Sequence, residues 1–93
     1  MNRLVLTAVL MERGVLRYTP AGLPALDLSL KHESEATQDG KTRKVRFDIR
    51  ARAIGEITAR CEKLELGSLH GFAGFLGSQR NGRGVVFHVT ELD

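Results

Sequence analysis

Strict alternation of apolar and polar residues is the feature that most limits this chain. Leu26, Leu28 and Leu30 alternate with Asp27, Ser29 and Lys31, and Val45, Phe47, Ile49 and Ala51 alternate with Arg46, Asp48, Arg50 and Arg52. Successive side chains of an extended strand point to opposite faces, so this pattern buries one face and wets the other. Three further stretches read as strands. Leu4, Leu6, Ala8 and Leu10 share one face while Val5 and Val9 add apolar surface to the other; Leu69 to Leu76 is threaded with glycines; and Val85 to Leu92 closes the chain. Turn residues separate them at Thr19 to Gly22, Gln38-Asp39-Gly40, Gly67-Ser68 and Arg80-Asn81-Gly82-Arg83-Gly84.

One segment breaks the alternation. Ile54, Ile57, Cys61 and Leu64 recur at three- and four-residue spacing and predict a short amphipathic helix over Gly55 to Leu66, with Cys61 on its apolar stripe. Three strands, a helix and two strands is the order of an OB-fold: an all-β, five-stranded Greek-key barrel with one short helix between strands 3 and 4. With 93 residues and no repeat, linker or low-complexity tract, the chain is expected to be one OB-fold domain over residues 1–93.

Several function classes drop out. No apolar run approaches the roughly 20 residues of a membrane span, and no secretory signal opens the chain, so a cytoplasmic protein is expected. One cysteine and three scattered histidines (His32, His70, His88) offer no structural zinc site at the usual spacings. Gly71-Phe-Ala-Gly-Phe-Leu-Gly77 is neither G-x-G-x-x-G nor a Walker loop; its glycines suit the bulges and coiling of a small barrel. No carboxylate pair or nucleophile motif marks an enzyme. No catalytic residue, metal or cofactor is expected.

Charge gives the positive signal. The chain carries 14 basic and 11 acidic residues for a net +3, too little to identify an anionic partner without knowing where the charges sit. Lys41 to Arg52 holds six cations and one acid, and Lys44, Arg46, Arg50 and Arg52 share a parity, hence a face. Such a row is either a solvated face or one that tracks a nucleic-acid backbone. Arg80 and Arg83 form a second cluster at a hairpin tip, and Arg13 and Arg17 lie beside the first hairpin. The acids are expected elsewhere: Glu33, Glu35 and Asp39 in a loop before the basic strand, Glu56, Glu62 and Glu65 on the helix. Phe47, Phe72, Phe75 and Phe87 fall at core-like positions, leaving Tyr18 as the exposed ring. Nucleic-acid binding would then rest on phosphate contacts and depend steeply on salt.

Leu16-Arg-Tyr-Thr-Pro-Ala-Gly22, continuing through Leu26-Asp-Leu-Ser-Leu-Lys-His-Glu-Ser34, resembles the first hairpin and second strand of the bacterial single-stranded-DNA-binding OB family. Asn2 to Thr7, Gly67-Ser-Leu-His-Gly-Phe-Ala-Gly-Phe-Leu76, Arg80-Asn-Gly-Arg83 and Phe87-His-Val-Thr-Glu-Leu92 extend the likeness over nearly the whole chain. They narrow it to the primosomal replication proteins, which are similar in length and lack the tail of the general members; a chain ending at Asp93 fits that form. The resemblance implies a sequence-independent single-stranded-DNA-binding homodimer that assists replication restart. Its implied partners are the PriA helicase and, in some lineages, the loader DnaT. It implies DNA contact at Arg17, Tyr18, Lys44, Arg46, Arg50, Arg80 and Arg83. Some relatives carry Trp where this chain has Arg46 and a cation where it has Glu33, so less stacking is expected here. The alternatives are a protein-interaction OB module with weak, incidental nucleic-acid binding, or a tailless general single-stranded-DNA-binding domain. The first strand, apolar on both sides, is the expected dimer interface.

Overall fold

The computed structural model describes residues 1–80 and 82–93. In chain order its elements are β1 (Leu4–Arg13), β2 (Arg17–Tyr18), β3 (Pro24–Gln38), β4 (Lys41–Ile54), α1 (Ile57–Glu62), β5 (Leu69–Ser78) and β6 (Val85–Leu92). The five long strands are those the alternation predicts. The two-residue β2 is an addition, laid antiparallel against the start of β3, and is too short to carry a periodic signal.

The strands are neighbours in the order β1-β5-β6-β4-β3, and β1 returns to pair with β3, closing a barrel. Among the described residues only β4 and β6 pair in parallel. Inside lie Leu6, Ala8 and Leu10 from β1, Leu26, Leu28 and Leu30 from β3, Ala51 and Ala53 from β4, Phe72 from β5, and Phe87, Val89 and Leu92 from β6. Cys61 of α1 is fully buried against them. Burial pushes its thiol above the ordinary range, more than the Arg60 and Arg13 charges pull it down, as suits an apolar core group. No helix among the described residues is long and apolar enough to cross a membrane.

The helix is shorter than its apolar spacing predicts. Gly55 and Gly67 bracket the segment with positive φ of 89° and 86°, and Ile54 belongs to β4 instead of the helical stripe. No side chain caps the N-terminus from Glu56. After Glu62, Lys63 and Leu64 donate to the carbonyls of Arg60 and Cys61, the tighter i→i+3 bonding that ends many helices. Arg13 donates to the Leu64 and Cys61 carbonyls at 2.6 and 3.4 Å, placing a cation at the negative end of the helix. Arg13 therefore braces α1, and it also lines a depression of the β3–β4 face with Glu12, Asp27, Ser29 and Arg50.

Two phenylalanines also depart from expectation. Phe72 and Phe75 are three residues apart, so a strand sends them to opposite faces: Phe72 is buried, while Phe75 is exposed and stacks on His88 at 4.8 Å. Phe47 points to the apolar side of β4 but sits where the β3–β4 hairpin has outrun β1, whose pairing with β3 extends only to Lys31. With no third strand beyond that point, Phe47 is exposed and leans on the His32 ring, 5.0 Å away.

Candidate nucleic-acid interface

The geometry of the basic face follows from one turn. Asp39 and Gly40 both take positive φ, 51° and 75°, the conformation of a two-residue I′ hairpin. That turn pairs Gln38 with Lys41 and sets every rung behind it: Asp27 lies opposite Arg52, Ser29 opposite Arg50, Lys31 opposite Asp48, Glu33 opposite Arg46 and Glu35 opposite Lys44. Cross-strand partners share a face. The cation row therefore exists as expected, but the acids do not sit apart from it. β3 runs on through Glu33 and Glu35 to Gln38, and the expectation of a separate acidic loop is overturned.

Ion pairs follow the register. Arg52 Nε lies 2.9 Å from Asp27 Oδ1, and Arg17 Nη2 donates to both Asp27 oxygens at 3.1 and 3.0 Å. Arg46 and Lys31 approach Glu33 Oε1 at 3.6 and 3.4 Å. Partial burial raises the Asp27 carboxyl, but the hydrogen bonds and charges of Arg52 and Arg17 outweigh it and hold the group below the ordinary carboxylate range. It is thus an anion at neutral pH. His88, level with Arg52 on β6, is shifted down by burial and then by the Arg52 charge, so its ring stays neutral there.

A groove of about 350 Å³ runs over this end of the face, lined by Asp27, Arg50, Arg52, Gln79, Arg83 and Val86. Arg17 and Arg52 converge on its Asp27, while Arg50 faces the hydroxyl residue Ser29 across the ladder, with Glu12 of β1 beyond it on the same rung. A shallower depression of about 320 Å³ lies further along the hairpin, between Glu33, Glu35, Lys44 and Arg46, roughly 13 Å beyond Arg50 at strand rise.

The structure thus gathers Arg17, Arg50 and Arg83 around one groove and sets Lys44 and Arg46 in a second. Arg80 is exposed in the β5–β6 connection outside the groove lining, and its neighbour Asn81 lies outside the described residues. Tyr18 is 66% exposed on β2. The sequence reading missed Asp27, Gln79 and Val86. Counting back from the Asp39-Gly40 turn places Asp27 opposite Arg52; nothing local in the sequence reveals that β6 pairs with β4 and so brings Gln79 and Val86 beside it. Guanidinium groups at a groove bind oxyanions through charge-assisted hydrogen bonds, and among the described residues no group of His, Cys, Asp and Glu could hold a metal.

The closed barrel is the fold of the OB-fold single-strand binding domains. The model of a single-strand binding protein family matches residues 2–91. The single-stranded DNA binding protein of Thermus aquaticus superposes on the whole chain over 49% of its own length, at a TM-score of 0.76 and 30% identity. Within this class the likeness is more specific. The replication restart protein PriB of Bordetella pertussis is 44% identical over 80 residues, covering 86% of this chain and 75% of that protein. The structure of PriB from Ralstonia solanacearum matches at a TM-score of 0.91 and 35% identity, covering 100% of this chain and 96% of that one. The chain belongs to the PriB family of single-strand binding proteins.

Proposed function

We propose that this protein is a non-catalytic, sequence-independent single-stranded-DNA-binding accessory of replication restart, and that it holds the strand across the outer face of β3 and β4. The observation that carries the reading is the groove in which Arg50, Arg52 and Arg83 meet, with Arg17 at its edge. Arginines spaced along a strand suit successive phosphates, and binding to a backbone alone needs no base-specific donor. Of the remaining candidates, Lys44 and Arg46 would extend the path along the hairpin, and Tyr18 and Arg80 would flank it.

The same reading includes a cytoplasmic homodimer that positions the PriA helicase on DNA, with DnaT as a further partner in some lineages. Support for the dimer comes from β1. It pairs with β5 along Leu4–Val9 but with β3 only from Val9 onward, so the first half of the strand has an open edge. Beside that edge Val5 is 65% exposed. Light scattering should return the mass of two chains, rising when PriA is added. A monomer mass, or no association with PriA, would contradict these points.

The DNA reading is tested by fluorescence anisotropy of a labelled oligo-dT at stepped salt. The logarithm of affinity should fall linearly with the logarithm of salt, with a slope of about −2 if roughly three phosphates are neutralised on a single strand. Arg50→Ala with Arg83→Ala should weaken binding without unfolding the barrel. Ion pairing across the face favours one competitor, a protein-interaction module with incidental DNA affinity. A dissociation constant well above the micromolar range, beside tight binding to PriA, would select it.

A further inference from the structure

We infer that the β3 carboxylates, Asp27 above all, are internal competitors for DNA phosphate, lowering the affinity of the face they sit on. The inference rests on the DNA-binding reading above and goes beyond it, because it assigns a role to an acid that phosphate binding alone would exclude.

Asp27 is held by two guanidinium groups through three hydrogen bonds of 2.9–3.1 Å. Two arginines converging on an oxyanion at that distance is also the geometry by which a phosphate is bound. The seat between Arg17 and Arg52 is therefore built for an anion and filled by one from the chain itself. A phosphate arriving there must share both arginines with the carboxylate, or displace it, while repelled by its charge. The arrangement repeats along the hairpin, where Glu33 engages Arg46 and Lys31, and Glu35 stands opposite Lys44. The rung of Arg50 differs, since its β3 partner Ser29 brings no charge and the acid on that rung, Glu12, lies one strand further away on β1. Arg50 thus has no carboxylate directly opposite it on β3. An accessory that must pass its strand to other proteins is served by a face that releases it.

The test replaces charge while keeping shape. Asp27→Asn, Glu33→Gln and, as a control on α1, Glu62→Gln each raise net charge by one. Oligo-dT affinity is measured by anisotropy at stepped salt, and folding by thermal melting. Asp27→Asn should bind roughly fourfold tighter at low salt, the factor expected for one unit charge about 5 Å from a phosphate in water. Its salt slope should steepen by about 0.7. Glu33→Gln should move in the same direction, and Glu62→Gln should leave affinity near the parent value. Should Asp27→Asn fail to fold, Glu33→Gln decides the question at Arg46. Folded Asp27→Asn protein that binds no tighter than the parent would overturn the inference while leaving the proposed function standing. A parent protein that does not bind oligo-dT would overturn both.

Discussion

Gly74 shows how much a single residue can decide in a barrel this small. A Cβ added there would lie 1.7 Å from the carbonyl oxygen of His88, which is backbone and cannot swing aside. β5 and β6 could accommodate it only by separating where Phe72 and Phe87 pack into the core. Gly74→Ala should therefore destabilise by about 1–3 kcal/mol, as overpacked cores do. In a thermal melt that appears as a fall of at least about 4 °C for a chain of this size; a melt that matches the parent would show that the strands yield freely. Gly77 is the milder case, since the added atom would meet the tip of the His88 ring at 3.0 Å, and a side chain can turn. The sequence shows that Gly71, Gly74 and Gly77 serve a strand and not a phosphate loop. Which of them permits a backbone approach depends on what faces it from β6, and no local pattern carries that.

The β3–β4 hairpin shows what is legible at the scale of an element. Its apolar alternation and its Asp39-Gly40 turn are both visible in the sequence, and together they determine the register: the numbers of paired residues sum to 79 throughout the ladder. From that rule alone Glu33 falls opposite Arg46 and Asp27 opposite Arg52. Ending the strand at Lys31, where the leucines stop, hides this and turns a mixed-charge face into an apparently segregated one. Charged residues can continue a strand once it leaves the core, because the ladder hydrogen bonds persist without apolar burial. The same overhang explains Phe47, whose apolar-side position no longer means burial beyond the last barrel strand. α1 errs the other way. Its spacing suggests twelve residues, yet glycines at Gly55 and Gly67 and the absence of a side-chain cap leave Ile57–Glu62, held at its end by Arg13.

For the molecule as a whole, strand number, helix position and OB topology are inferable, because β3, β4 and β6 alternate clearly, β1 and β5 read as apolar strand-like stretches, and the helical segment falls between the third and fourth of these five. The charge distribution was only half inferable. The net +3 is not a sum over one basic face and one acidic face. The helical acids do stand apart, while Asp27, Glu33 and Glu35 lie within the basic ladder and reduce its field. Convergence of Arg50, Arg52, Gln79, Arg83 and Val86 in one groove joins β4 to both ends of the β5–β6 connection, a proximity created by the parallel β4–β6 pairing. The central claim is that this outer face, and not the apolar outer face of β1 and β5, receives the DNA strand. Amide chemical-shift mapping on an isotopically labelled sample titrated with oligo-dT measures that directly. Shifts should concentrate at Asp27, Arg50, Arg52, Gln79, Arg83 and Val86, with smaller changes at Lys44 and Arg46. Shifts confined to Val5, Leu69 and Glu91, or to α1, would contradict it.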